Sequence, residues 1–167
     1  MTDLKEMKFN PEAVMWEELS DVRAVMLGAT GGDGHMQPMA PNIDPESKCI
    51  WFYTNQNTEL AKAAAKGISA NLCHIGNDRD FHACLTGNLT TSRDREIIEK
   101  YWSKIVDAWF EDGKDDADLV LLCFTPENAH LWASTDSSLR FGWEIAKANV
   151  TDSKPDVGYS CEIRIAA

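Results

Sequence analysis

Apolar residues along this chain fall mostly into short unbroken runs or two-residue alternations, and only a few stretches space them three to four apart. The run Cys49-Ile50-Trp51-Phe52-Tyr53-Thr54 is β-branched, aromatic and apolar with no breaker, which is the pattern of a buried strand. Asn55-Gln56-Asn57-Thr58 then supplies turn formers and a capping side chain. Glu59 to Lys66 is alanine-rich, and Gly67 stands just past the end of that helix. A strand that passes into a helix through a short polar loop is a candidate anion site, because unpaired N–H groups and the helix dipole converge there.

The same reading orders the rest of the chain. Asn10-Pro11-Glu12 starts a helix with Val14, Met15, Leu19 and Val22 as its apolar stripe. Val22 to Ala29 reads as a strand buried on both faces, and Thr30-Gly31-Gly32-Asp33-Gly34 as a hairpin turn. His35 to Asn42 is then the returning strand, and Pro38 and Pro41 confine it to an edge or a bulge. With the Cys49 strand it makes a three-stranded meander. Ile68–Ile75 and Phe81–Thr91 form a second hairpin. Ser92 caps a long helix whose Ile97, Ile98, Tyr101, Trp102, Ile105, Val106 and Trp109 share one face. Leu119–Thr125 and Ala129–Ala133 read as strands split by a turn at Pro126, followed by a short helix at Gly142–Val150 and a final strand at Tyr159–Ile165. Hairpins with scattered helices and no βαβ alternation predict a mainly β, α+β fold: an antiparallel barrel, closed or nearly so, as a single domain over residues 1–167.

Charge narrows the partners. A formal net charge of −11 repels nucleic acid and anionic membrane, so an anionic ligand must be held by local donors against the global field. No apolar stretch reaches spanning length, and the reading is a cytoplasmic protein. Five cysteines without a CxxC pair predict small buried hydrophobes rather than a disulfide framework. His74, His82 and Cys84 are expected to share one sheet face, but three ligands fall short of a structural zinc site, and no metal is expected. The acidic run Glu111 to Asp118 lacks the ligand spacing of a calcium loop, and no serine lies in a nucleophile elbow. Trp132, near a strand end, suits a groove or a subunit interface.

The ordered set Asp33-Gly34, Pro38-Met39, Trp51-Phe52-Tyr53-Thr54, Thr86-Gly87-Asn88, Tyr101-Trp102, Trp109 to Asp116, Asp118 to Leu122 and Leu131-Trp132 resembles the general-stress-protein branch of the pyridoxamine 5′-phosphate oxidase-like split-barrel flavoproteins. The resemblance runs from about Glu12 to Ala133 and implies a Greek-key-like split β-barrel with helices. It also implies a homodimer holding flavin mononucleotide (FMN) in the groove between subunits, and an oxidoreductase-like role with an unidentified substrate.

Carried over by position, Tyr53, Thr54 and Thr58 match the family's phosphate pocket, with Pro38 and Met39 shaping the ring pocket and Trp132 closing it from the side or from the partner. Gln37 stands where the family has arginine, and Glu59 and Leu60 where it has basic residues, which leaves Lys62 as the nearest cation. Replacing arginine by glutamine keeps a donor but forfeits a charge-assisted bond about twice as strong as a neutral one. A second expectation therefore stands beside the first: a non-enzymatic homodimer that has lost FMN and binds another small ligand or none. No catalytic acid or base is identifiable.

Overall fold

A computed structural model describes residues 2–31, 34–134, 142–143, 145–147 and 158–165. Two helices open the chain, α1 (Leu4–Phe9) and α2 (Pro11–Ser20), the second starting on a proline whose missing N–H costs nothing at that position. Four strands follow: β1 (Val25–Ala29), β2 (Gln37–Met39), β3 (Asn42–Asp44) and β4 (Cys49–Asn55). Helix α3 (Glu59–Ala64) leads to β5 (Ile68–Ile75) and β6 (Phe81–Ser92). Then come α4 (Arg95–Tyr101), α5 (Lys104–Asp107), a 3₁₀ turn at Gly113–Asp115, β7 (Leu119–Ser134) and β8 (Gly158–Arg164).

All strand pairs are antiparallel, in the order β2-β1-β5-β6-β7-β4-β3, with β8 also on β7. β2 and β3 are the two ends of that ladder, yet only Ala40 and Pro41 separate them in sequence. A sheet whose opposite edges are joined by so short a link must curl back on itself, which gives the split barrel. The concave face carries the core: Leu27, Phe52, Leu72, Leu85, Leu122, Phe124 and Leu131, sealed by Val14, Met15, Trp16 and Leu19 of α2. A smaller cluster outside the sheet joins Ile98 of α4 to Leu119 and Leu121, with Trp51, Tyr53 and Trp102 against it.

Several expectations change. The meander does not form: β1 lies between β2 and β5, and β4 pairs with β7 rather than with the β1–β2 hairpin. The returning strand is two short strands broken at Ala40-Pro41, because neither proline can donate to a ladder. Pro126 does not mark a turn either. β7 continues through it with one extra residue, since Thr86 opposes Asn128 while Gly87 opposes Pro126.

Gly87 permits that crossing. A Cβ there would sit 2.7 Å from the Pro126 Cα and closer still to the Thr125 carbonyl oxygen. The long helix after Ser92 is instead two short ones, capped by Asp94 and Ser103, and it leaves Ile105 and Trp109 exposed at 77 % and 81 % rather than in the core. Gly32 and Asp33 in the first hairpin, and most of the helix expected at 142–150, lie outside the described residues. Among those described, no helix is long and apolar enough to cross a membrane.

Candidate functional site

Alternation along β4 places Ile50, Phe52 and Thr54 on the concave side and Cys49, Trp51 and Tyr53 outside. Thr54 is the cross-strand partner of Val120 and stands at the mouth of the barrel. The loop beyond it is pinned to the start of β7. The Gln56 N–H donates to the Asp118 carbonyl (2.8 Å), and the Gln56 and Asn57 side-chain amides both donate to Asp118 Oδ1 (3.0 and 3.1 Å). The side-chain bonds to that carboxylate, from Gln56 first and then Asn55 and Asn57, hold it below its ordinary range against the effect of burial, with the Arg93 charge adding. Thr58 caps α3, its hydroxyl accepting from the Ala61 N–H (3.2 Å) and donating to the Asn55 carbonyl (3.0 Å). Gly67 ends the segment at φ 69°, the left-handed conformation its position requires.

Beneath α3, Gln56, Ala61, Lys62, Ala65, Thr91, Arg93 and Val120 enclose a cavity of about 310 Å³. Arg93 was not among the expected site residues, because Ser92-Arg93-Asp94 reads in sequence only as a helix cap. It leaves β6 just past Thr91 and donates to Gln56 Oε1 (2.8 Å) and to the Ala117 carbonyl (3.0 Å), both neutral acceptors. Lys62 pairs with Glu59 at 2.9 Å, an exposed contact that contributes little. Two cations and a threonine thus line one small space. Those residue types suit a phosphate.

The other expected residues are placed as follows. The Tyr53 hydroxyl points away from the mouth and donates to the Ile98 carbonyl at 2.7 Å, with its ring edge-on to Trp102 at 5.7 Å. Burial, with Tyr101 adding, pushes the Tyr53 phenol up to about 12. Gln37, Pro38 and Met39 form the edge strand β2, opposite β1, and do not line the Lys62–Arg93 cavity. Trp132 lies on the same strand as Val120 but twelve residues on, ~40 Å along the chain at strand rise. The structure therefore brings together Lys62 and the Thr54–Thr58 loop, and leaves β2 and Trp132 apart from them.

Trp132 belongs to the convex face. Its ring stacks on His130 (centroids 4.0 Å, planes 5° apart), and His130 Nδ1 lies 3.3 Å from Glu162 of β8. A cleft of about 640 Å³ runs past Cys84, Thr86, Asn128, His130, Trp132 and Arg164. Met26 and Ile75 are exposed on the same face, at 40 % and 62 %. The expected sharing of a face by His74, His82 and Cys84 is wrong. The register pairs Cys84 with Cys73 and His74 with Ala83, which turns His74 into the core while His82 and Cys84 stay outside. Nor are the cysteines uniformly buried; only Cys123 is, and the other four are half-buried.

The profile of the family described as pyridoxamine 5′-phosphate oxidase like matches residues 10–156. General stress protein 26 of Bacillus subtilis (strain 168) is 33 % identical over 88 residues, which cover 49 % of this chain and 61 % of that protein, so the chain spans about three-fifths of the length of this curated relative. Among solved structures, a protein described as a general stress protein 26 candidate from Jannaschia sp. CCS1 is 38 % identical, covers 90 % of this chain and 95 % of its own, and superposes with a TM-score of 0.76. The general stress FMN/FAD binding protein of Xanthomonas citri is 31 % identical over 74 % of this chain and 88 % of its own, with a TM-score of 0.68. The chain belongs to the pyridoxamine 5′-phosphate oxidase-like family, in its general-stress-protein branch.

Proposed function

We propose that this protein binds flavin mononucleotide as a homodimer and acts as a small flavin-dependent oxidoreductase. One observation carries the reading: Lys62 and Arg93 converge on the cavity beside the Thr54–Thr58 loop, the corner where the sequence lacks its usual cations. Lys62, Arg93 and the Thr91 hydroxyl would hold the phosphate. Thr54 and Thr58 contribute by shaping the loop, and Tyr53 by fixing β4 against α4. Bound flavin supplies two-electron and one-electron chemistry; the chain supplies binding, orientation and exclusion of water.

The convex face supports the dimer. Met26, Ile75 and Trp132 are large apolar side chains left exposed on one continuous sheet surface, which is the composition of an interface rather than of a solvated wall. The strand distance puts Trp132 out of reach of its own subunit's phosphate corner. A Trp132 that closes the ring pocket, with Pro38 and Met39 shaping it, would be the partner's or would act at the far end of the groove.

A non-enzymatic dimer without flavin is the second reading. Gln37, Glu59 and Leu60 favour it, since Glu59 sets a carboxylate beside Lys62 at the same mouth. Absorbance of freshly purified protein separates the two, followed by titration with FMN and sizing in solution. Flavin bands, or quenching of added FMN by a dimer, are expected. A colourless protein that leaves FMN fluorescence unchanged would rule the flavin reading out.

A further inference from the structure

On the convex side of β4 and β7, the Sγ atoms of Cys49 and Cys123 lie 3.2 Å apart. The two residues are diagonal neighbours across the ladder, since Cys123 directly opposes Trp51 and Cys49 sits one side-chain step along the same face. Both sulfurs also approach the Thr125 hydroxyl, at 3.6 and 3.8 Å. A disulfide needs about 2.05 Å, so the sulfurs need to close by about 1 Å, and because diagonal neighbours stand wider apart than a disulfide's usual backbone spacing, closure draws β4 and β7 locally together. We propose that Cys49 and Cys123 form a two-electron redox pair that reduces hydroperoxides and closes as a disulfide between β4 and β7.

The chemistry assigns the roles. Cys49 is half-buried, whereas Cys123 is buried. The Cys123 thiol beside Cys49 favours the Cys49 thiolate against the opposing effect of burial, and the Thr125 and Ser47 hydroxyls add to it. The same interaction pushes Cys123 well up. Asp44 opposes Cys49 across β3 and works against its thiolate, but that carboxylate is bonded by Lys100 at 3.1 Å.

Cys49 thiolate therefore attacks the terminal oxygen of the peroxide, the O–O bond breaks, and hydroxide (from hydrogen peroxide) or alkoxide (from an organic hydroperoxide) leaves, giving a sulfenic acid on Cys49. The Cys123 thiol then attacks that sulfur, its proton goes with the departing hydroxyl as water, and the S–S bond forms. The dithiol loses two electrons and the peroxide gains them. The site lies apart from the Lys62–Arg93 cavity and does not rest on flavin.

The fold carries an internal comparison. Cys73 and Cys84 oppose each other directly on β5 and β6 with sulfurs 3.7 Å apart, but burial, with Cys84 adding, pushes Cys73 up to about 11 and leaves little thiolate. The full chain is reduced, freed of reductant and exposed to hydrogen peroxide near neutral pH. Free thiols are then alkylated and the protein mapped by mass spectrometry without reduction. A Cys49–Cys123 cross-link is expected first, with Cys73 and Cys84 still alkylated, and dithiothreitol should reverse it. In Cys123→Ser, dimedone should label Cys49, whereas in Cys49→Ser it should leave Cys123 unlabelled, with circular dichroism confirming that both fold. The proposal falls if wild-type Cys49 stays as freely alkylated as Cys161 after peroxide, or if the first cross-link joins Cys73 to Cys84.

Discussion

The guanidinium of Arg93 donates to the side-chain oxygen of Gln56 at 2.8 Å, which ties the end of β6 to the loop between β4 and α3 and sets a positive charge on the cavity that Lys62 also lines. If this corner holds the FMN phosphate, Arg93→Gln removes a charge-assisted contact and keeps a donor. A charged hydrogen bond contributes about 1.5–3 kcal/mol, so Kd for FMN should rise roughly ten- to a hundredfold. Lys62→Gln should weaken binding as well, by less, because Glu59 already shares that ammonium. Titration followed by flavin fluorescence measures both, and unchanged affinity in Arg93→Gln would move the phosphate elsewhere.

Tyr53→Phe separates structure from ligand contact. The hydroxyl is committed to the Ile98 carbonyl at 2.7 Å, so removing it strands a buried acceptor and should lower stability by about 1–2 kcal/mol. FMN affinity should fall only slightly, because the hydroxyl anchors β4 to α4 and makes no contact with the ligand. A large loss of affinity at unchanged stability would show that the phenol faces the ligand.

His74 makes the fold sensitive to mild acid. It is 2 % exposed, neither ring nitrogen has a hydrogen-bond partner, and burial, with His82 adding, lowers its pKa to about 4. The unfolded chain takes up a proton near 6.5 and the folded one only near 4, so stability is full above the first value and falls as pH drops through the window between them. The drop should approach about 3 kcal/mol at 1.36 kcal/mol per pH unit. Melting temperature against pH should show this decline in wild type and a flatter profile in His74→Leu. The Asp44 carboxyl is pushed up by burial, but bonds from Lys100 and Ser47 outweigh that and hold it below its ordinary value; its own loss begins only at lower pH.

Gly87→Ala tests the β6–β7 crossing. The new methyl would meet backbone of Thr125 and Pro126, which cannot rotate away as a side chain can. A loss of about 3 kcal/mol is expected, roughly 10 °C in melting temperature. A variant that melts with wild type would mean that the bulge relaxes freely.

The sequence made much of the fold legible because its strands are long, apolar and bounded by turn formers. Ile68–Ile75 and the Cys49 strand needed nothing beyond local pattern, whereas the strand expected from Val22 begins only at Val25 and turns Met26 outward instead of burying both faces. Where it misled, a tertiary contact decided. Pro126 breaks a strand by local rules, but opposite a glycine it bends one instead. Trp109 and Ile105 keep helical spacing with Trp102, yet Ser103 restarts the helix and turns them outward. The parity of His74 and Cys84 depended on a register that five loop residues do not fix.

Of the candidate site residues, Lys62 lines the cavity, and Thr58 caps the helix that carries it. Arg93 comes from a strand two places away in the sheet order, and no local pattern announces a cation that approaches across a barrel mouth.

β7 has a neighbour along both edges for nearly all its length: β6 on one side, and β4 then β8 on the other. It passes from the cationic corner to the stacked indole without an unpaired backbone row, so neither end can open without disturbing the other. In deuterated solvent its amides should be the last in the molecule to give up their protons, outlasting those of the short terminal strands β2 and β3.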